Sequence, residues 1–95
     1  MMKNKLNKII VFTVKGCAGC QILKDTLNNI EEINDICDIE FIPHDDINYK
    51  TFIKINNVCD FPTTFFIKDN KVLEKIEGTI PKYKLKDKIN KYFNN

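Results

Sequence analysis

Cys17-Ala18-Gly19-Cys20 stands two residues after the apolar run Ile9-Ile10-Val11-Phe12-Thr13-Val14 and directly before a segment of helical periodicity. This junction constrains the fold more than any other stretch of the chain. The run reads as a strand, and a strand that stops on Cys-x-x-Cys at a helix start puts the first sulfur among free backbone N–H groups. The positive end of the helix dipole lies there too, and both favour a thiolate over a thiol. The thiolate is the attacking species in thiol-disulfide exchange, and two intervening residues let the second sulfur reach back to resolve a mixed disulfide. Zinc sites use the same spacing, so it is the strand-to-helix position that points to a dithiol redox site.

Length and composition narrow the possibilities. Ninety-five residues suffice for one domain, expected over 1–95, and 43% hydrophobic with 29% charged residues is ordinary for a globular protein. All 15 basic residues are lysines and the net charge is only +2. Bidentate guanidinium contacts to bases are therefore unavailable, and nucleic acid is not an expected partner. Residues 1–8 are polar and lysine-rich, but the apolar stretch that follows lasts six residues before Lys15. That is too short for a signal-peptide core or a membrane span, so a cytoplasmic location with no membrane contact is expected. Four cysteines in such a compartment argue for catalysis or metal binding over a structural disulfide framework.

Periodicity supplies the remaining elements. Ile22, Leu23, Leu27, Ile30 and Ile33 recur at helical spacing, which predicts a helix opening at the motif. Asp38 to Pro43 reads as a second strand, and Tyr49, Phe52 and Ile53 suggest a short helix before Asn56-Asn57. Thr63 to Lys68 and Lys71 to Glu77, joined by the turn pair Asp69-Asn70, read as an antiparallel hairpin that Gly78 ends. Pro81 near a helix start, with Leu85, Ile89, Tyr92 and Phe93 on one face, gives a closing amphipathic helix. The order is β-α-β-α-β-β-α, and the strand-helix-strand start implies parallel pairing by a right-handed crossover.

This order, with Cys-x-x-Cys after the first strand and Phe61-Pro62-Thr63 leading into the hairpin, resembles the thioredoxin and glutaredoxin superfamily from Ile9 onward. The resemblance implies an α/β thioredoxin fold, a four-stranded mixed sheet with flanking helices. It also implies a cis Phe61-Pro62 bond in a loop across the cleft from the dithiol, where backbone groups can meet an extended substrate. The activity implied is that of a thiol-disulfide oxidoreductase: Cys17 as nucleophile and Cys20 as resolving thiol reduce disulfide-containing protein substrates such as ribonucleotide reductase. A reductase or glutathione would supply electrons, with no cofactor and as a monomer. Gly16, Ala18, Gly19, Phe61, Pro62, Thr63 and Gly78 would form the substrate-facing surface. Gly16 replaces the Trp that thioredoxins usually carry before the pair, Ala18-Gly19 replaces Gly-Pro, and Val11 stands where they carry a buried acid. Glu77-Gly78-Thr79-Ile80 does not match the Gly-Gly-x-Asp stretch with which glutaredoxins hold glutathione.

Alternative roles stand beside these. Lys15 is close enough in sequence to lower the Cys17 pKa, or is simply a solvated charge. Ordinary core packing is the lesser alternative for Phe61 and Pro62, and a plain turn accounts for Gly78 nearly as well as a close approach does. Cys37 reads as a small buried apolar residue. Cys59, three residues before Pro62, reads as a loop cysteine or as a regulatory thiol near the cleft. His44, Asp45 and Asp46 fall where solvated loop residues and a helix cap are expected, and their spacing fits zinc poorly, so no metal is expected there. Two other classes of function compete with the redox one. The first is a metal or iron-sulfur module built on Cys17 and Cys20 with further thiols, against which Cys37 and Cys59 do not form a second close pair. The second is a redox-inactive thioredoxin-fold protein whose groove docks a partner.

Overall fold

The computed structural model describes residues 6–93; the start of the lysine-rich segment, residues 1–5, and residues 94–95 lie outside them. The elements are β1 (Asn7–Thr13), α1 (Ala18–Asn28), α2 (Ile33–Ile36), β2 (Asp38–Pro43), a 3-10 turn (Ile47–Tyr49), α3 (Lys50–Ile55), β3 (Thr63–Lys68), β4 (Lys71–Glu77) and α4 (Lys82–Phe93). The sheet order is β2-β1-β3-β4, with β1 parallel to β2 and the other pairs antiparallel. This is the expected thioredoxin fold, a four-stranded mixed sheet with flanking helices.

Successive residues of β1 face opposite sides of the sheet, and here both sides are covered. Ile9 and Val11 join Leu23 and Leu27 of α1, Phe66, and Leu85, Ile89 and Phe93 of α4 in one core. Ile10 and Phe12 join Phe65 and Ile67 in a second core under Tyr49, Phe52 and Ile53. The unbroken apolar run Ile9-Ile10-Val11-Phe12 is thus explained by the strand's central place, which also fixes where its C-terminal end delivers Cys17.

Two details differ from the sequence-based expectation. α1 stops at Asn28 and does not run on to Ile33; Asn29 closes it by donating to the Asp25 and Thr26 carbonyls, and Ile33 opens a separate turn of helix. Ile30 and Ile33 nonetheless reach the core, so burial persists where helical periodicity does not. Ile22 is 58% exposed, because its neighbour Leu23 takes the inward direction and adjacent helical residues point about 100° apart. The hairpin forms as expected: Asp69 and Asn70 both have positive φ, as a two-residue I′ turn requires. Among the described residues no helix is long and apolar enough to cross a membrane.

Candidate dithiol site

The site begins where β1 ends. The His44 amide donates to the Thr13 carbonyl at 2.8 Å, so the β1–β2 pairing holds the chain up to the turn containing Gly16, whose φ is +77°. Cys17 then takes an extended conformation as the N-cap of α1, and its Sγ accepts the Cys20 amide N–H at 3.1 Å. No acidic residue lies in the first turn of α1, so nothing there offsets the positive helix end. Cys17 and Cys20 are joined as a disulfide with their Cα atoms 5.3 Å apart. Cys17 is half-buried while Cys20 is only 8% exposed. The outer sulfur is therefore the one a partner reaches first.

Two flanks border the pair. On one, Gly16, Cys17, Ala18 and Cys20 line an open cavity of about 460 Å³ whose wall continues through Gln21, Lys24 and Phe41. On the other, the chain passes so close that a Cβ on Gly19 would stand 3.3 Å from Pro62 Cδ and 3.4 Å from Thr79 Cγ2. The Phe61-Pro62 bond is cis, and the Pro62 carbonyl accepts the Gly78 amide at 2.8 Å. Gly78, with φ +87°, thereby pins the proline loop. The Phe61 ring lies 5.6 Å from that of His44.

The expected surface residues are thus divided. Thr63 is fully buried and its hydroxyl donates to the Asp60 carbonyl, so its side chain holds the loop from beneath and does not face the cleft. Lys15 is exposed and lines a different cavity with Pro43, His44 and Asp45, while Lys24 lines the one beside the sulfurs. Sequence reasoning passed over Lys24 and Phe41. Lys24 was within reach of it: it stands four residues after Cys20 and seven after Cys17, on the same stripe of α1. Phe41 gave no such signal, because only the parallel β1–β2 register brings it near.

The other polar candidates lie apart from the pair. Asp46 caps the 3-10 turn by accepting the Asn48 amide at 2.9 Å, the cap expected in that loop. Cys37 is fully buried in the core beneath α1 and α4, and Cys59 is exposed. Cys59, Asp60 and Glu77 place their ligand atoms within 4.8 Å of one another, all three at the exposed surface. Among the described residues the buried polar side chains are Asn7, Thr63 and Thr64, and Val11, at the position noted above for a buried acid, is fully buried in the core.

Fold and site together define a class: a small α/β domain with a Cys-x-x-Cys at the N-terminus of its first helix, facing a cis-proline loop. The chain belongs to the thioredoxin family, whose model matches residues 1–91. Among solved structures it is similar to an N21Q mutant thioredoxin from Halobacterium salinarum NRC-1, at 22% identity and a TM-score of 0.79, covering 94% of this chain and 76% of that one. It is also similar to an uncharacterized thioredoxin-like protein from Clostridium perfringens, at 19% identity and TM-score 0.80, covering 92% and 71%. Thioredoxin-2 of the malaria parasite matches at 17% identity and TM-score 0.78, covering 96% and 86%. Comparison with curated proteins gives no match.

Proposed function

We propose that this protein is a thiol-disulfide oxidoreductase that reduces disulfides in other proteins through a Cys17/Cys20 cycle. The observation that carries the reading is the placing of Cys17 Sγ at the N-cap of α1, accepting the Cys20 amide, with no acid in the helix's first turn. That environment stabilises a sulfur anion, which is the state the first step needs. In the reduced protein the Cys17 thiolate attacks one sulfur of the substrate disulfide, forming a Cys17–substrate disulfide and releasing the other substrate sulfur as a thiolate. Cys20 gives its proton to that departing thiolate and attacks Cys17 Sγ, closing the Cys17–Cys20 bond and expelling the second substrate thiolate. Two electrons pass to the substrate. A reductase or glutathione then returns two electrons to the pair, and the protein works as a monomer in the cytosol.

Gly16, Ala18 and Gly19 leave the pair's surface low, so that a substrate segment can approach Cys17. Phe61 and Pro62 form the opposing rim, pinned by Gly78. Lys15 supplies general positive charge on the far side of the turn. The test uses single-cysteine variants and a protein carrying one exposed disulfide. Reduced Cys20→Ser is expected to accumulate a mixed disulfide through Cys17, visible by mass, whereas Cys17→Ser accumulates none. Equal trapping by the two variants, or trapping by neither, would contradict the reading.

A further inference from the structure

We propose that Lys24 makes the site selective for disulfides flanked by acidic residues, so that the preferred substrates are acidic peptide segments. The inference rests on the reading of Cys17 and Cys20 as the redox pair and adds the charge of what they act on. Among the described residues, Lys24 is the one charged residue in the wall of the cavity that Cys17 and Cys20 line. Its ammonium sits 5.5 Å from the centroid of the Phe41 ring, a contact that orients the side chain without cancelling its charge. Among the described residues the ion pairs are Lys8–Glu40, Lys75–Glu77 and Lys88–Glu74, and none involves Lys24.

The acids nearest in sequence to this wall, Glu40 and Asp25, stand outside the cavity's lining. Glu40, beside Phe41 on β2, is held by Lys8 at 3.1 Å and by the Tyr49 hydroxyl at 3.2 Å. Asp25 keeps its charge but is turned along the helix, its carboxylate accepting from the Gln21 side-chain amide at 3.0 Å. Neither lines the cavity, so an incoming segment meets positive charge there.

Helix geometry says where on the substrate that charge is felt. Lys24 lies one turn beyond Cys20 and two beyond Cys17, a rise of about 6 Å and about 10 Å along α1. An extended peptide advances about 3.3 Å per residue. The matching substrate positions are therefore the second and third from the reacting cysteine, on the side that runs along α1.

Two disulfide-bonded peptides of one sequence, bearing Glu or Lys at those two positions, test this in single-turnover reduction by the prereduced protein. The Glu peptide should react about 5–10-fold faster at low ionic strength, the size expected of one or two charges at this range near a protein surface. The advantage should shrink in 0.5 M salt, where screening acts over roughly 4 Å. Lys24→Gln should abolish the difference between the peptides, Lys24→Arg should retain it, and Lys71→Gln, at the distant hairpin turn, should not change it. Equal rates for the two peptides, or a preference that survives Lys24→Gln, would overturn the proposal while leaving the redox reading standing. Reduction of neither peptide would overturn both.

Discussion

At the scale of single residues, the site depends on two glycines for different reasons. Gly19 is small because Pro62 and Thr79 crowd the place its side chain would take, and so the dithiol turn and the proline loop can touch. Gly78 has open space around it but a φ of +87°, where L residues with a side chain are disfavoured. Gly78→Ala is therefore expected to lower stability by about 1–2 kcal/mol in urea unfolding, a cost of backbone conformation alone. A loss well below that would mean that the loop re-forms without the Gly78–Pro62 hydrogen bond. Cys17 and Cys20 were legible from spacing and position, since a strand running into Cys-x-x-Cys has few structural meanings. Thr63 was not, because the inward turn of its hydroxyl toward Asp60 depends on a loop conformation that no local pattern encodes.

At the scale of elements, the strands and the closing helix were legible because each carries a clear apolar rhythm and turn chemistry at its ends. The end of α1 was obscured: Ile30 and Ile33 continue the apolar spacing, yet Asn28-Asn29 and the left-handed Glu32 break the helix while the same residues still fill the core. Side chains also tie elements across the sheet. Lys75 on β4 donates to the Asn56 and Asn57 carbonyls at 3.1 Å each, capping the C-terminal end of α3. Glu74 on β4 joins α4 through Lys88 at 2.7 Å and the Tyr92 hydroxyl. Partial burial raises the Glu74 pKa, but the hydrogen bonds from Lys88 and Tyr92 and the Lys88 charge outweigh it, leaving the carboxyl below its ordinary value of 4.5. A carboxylate depressed in the folded state stabilises above its unfolded pKa and loses that stabilisation as pH falls through the folded value. The β4–α4 tie should therefore be intact at neutral pH and weaken below about pH 4.5. Comparing urea midpoints of the native chain and Glu74→Gln checks this: the gap should be largest near neutrality and close as pH falls below 4. A gap that is constant with pH would show that the ion pair contributes nothing.

At the scale of the whole molecule, β1 organises everything else. Its central place puts a core on each face, α1 and α4 on one and α3 on the other, and its C-terminal end carries the sulfur pair to the rim where the proline loop arrives from β3. The sequence order of elements was enough to anticipate this arrangement, while the cis bond at Pro62 was expected only from the family resemblance carried by Phe61-Pro62-Thr63. It did not disclose that the two flanks of the pair differ, one closed against Pro62 and Thr79 and one open toward Lys24 and Phe41. That asymmetry arises because Pro62 and Thr79 approach the start of α1 on one side and Phe41 of β2 on the other, all distant in sequence and silent in periodicity. The most direct test of the redox account is the equilibrium of the Cys17/Cys20 pair in graded thiol-disulfide buffers, read by mass after alkylation of free thiols. A single two-electron couple between about −270 and −200 mV, with Cys17 and Cys20 protected together, is the expected result. A pair that never closes into an intramolecular disulfide, or that stays closed below about −300 mV as structural disulfides do, would contradict it.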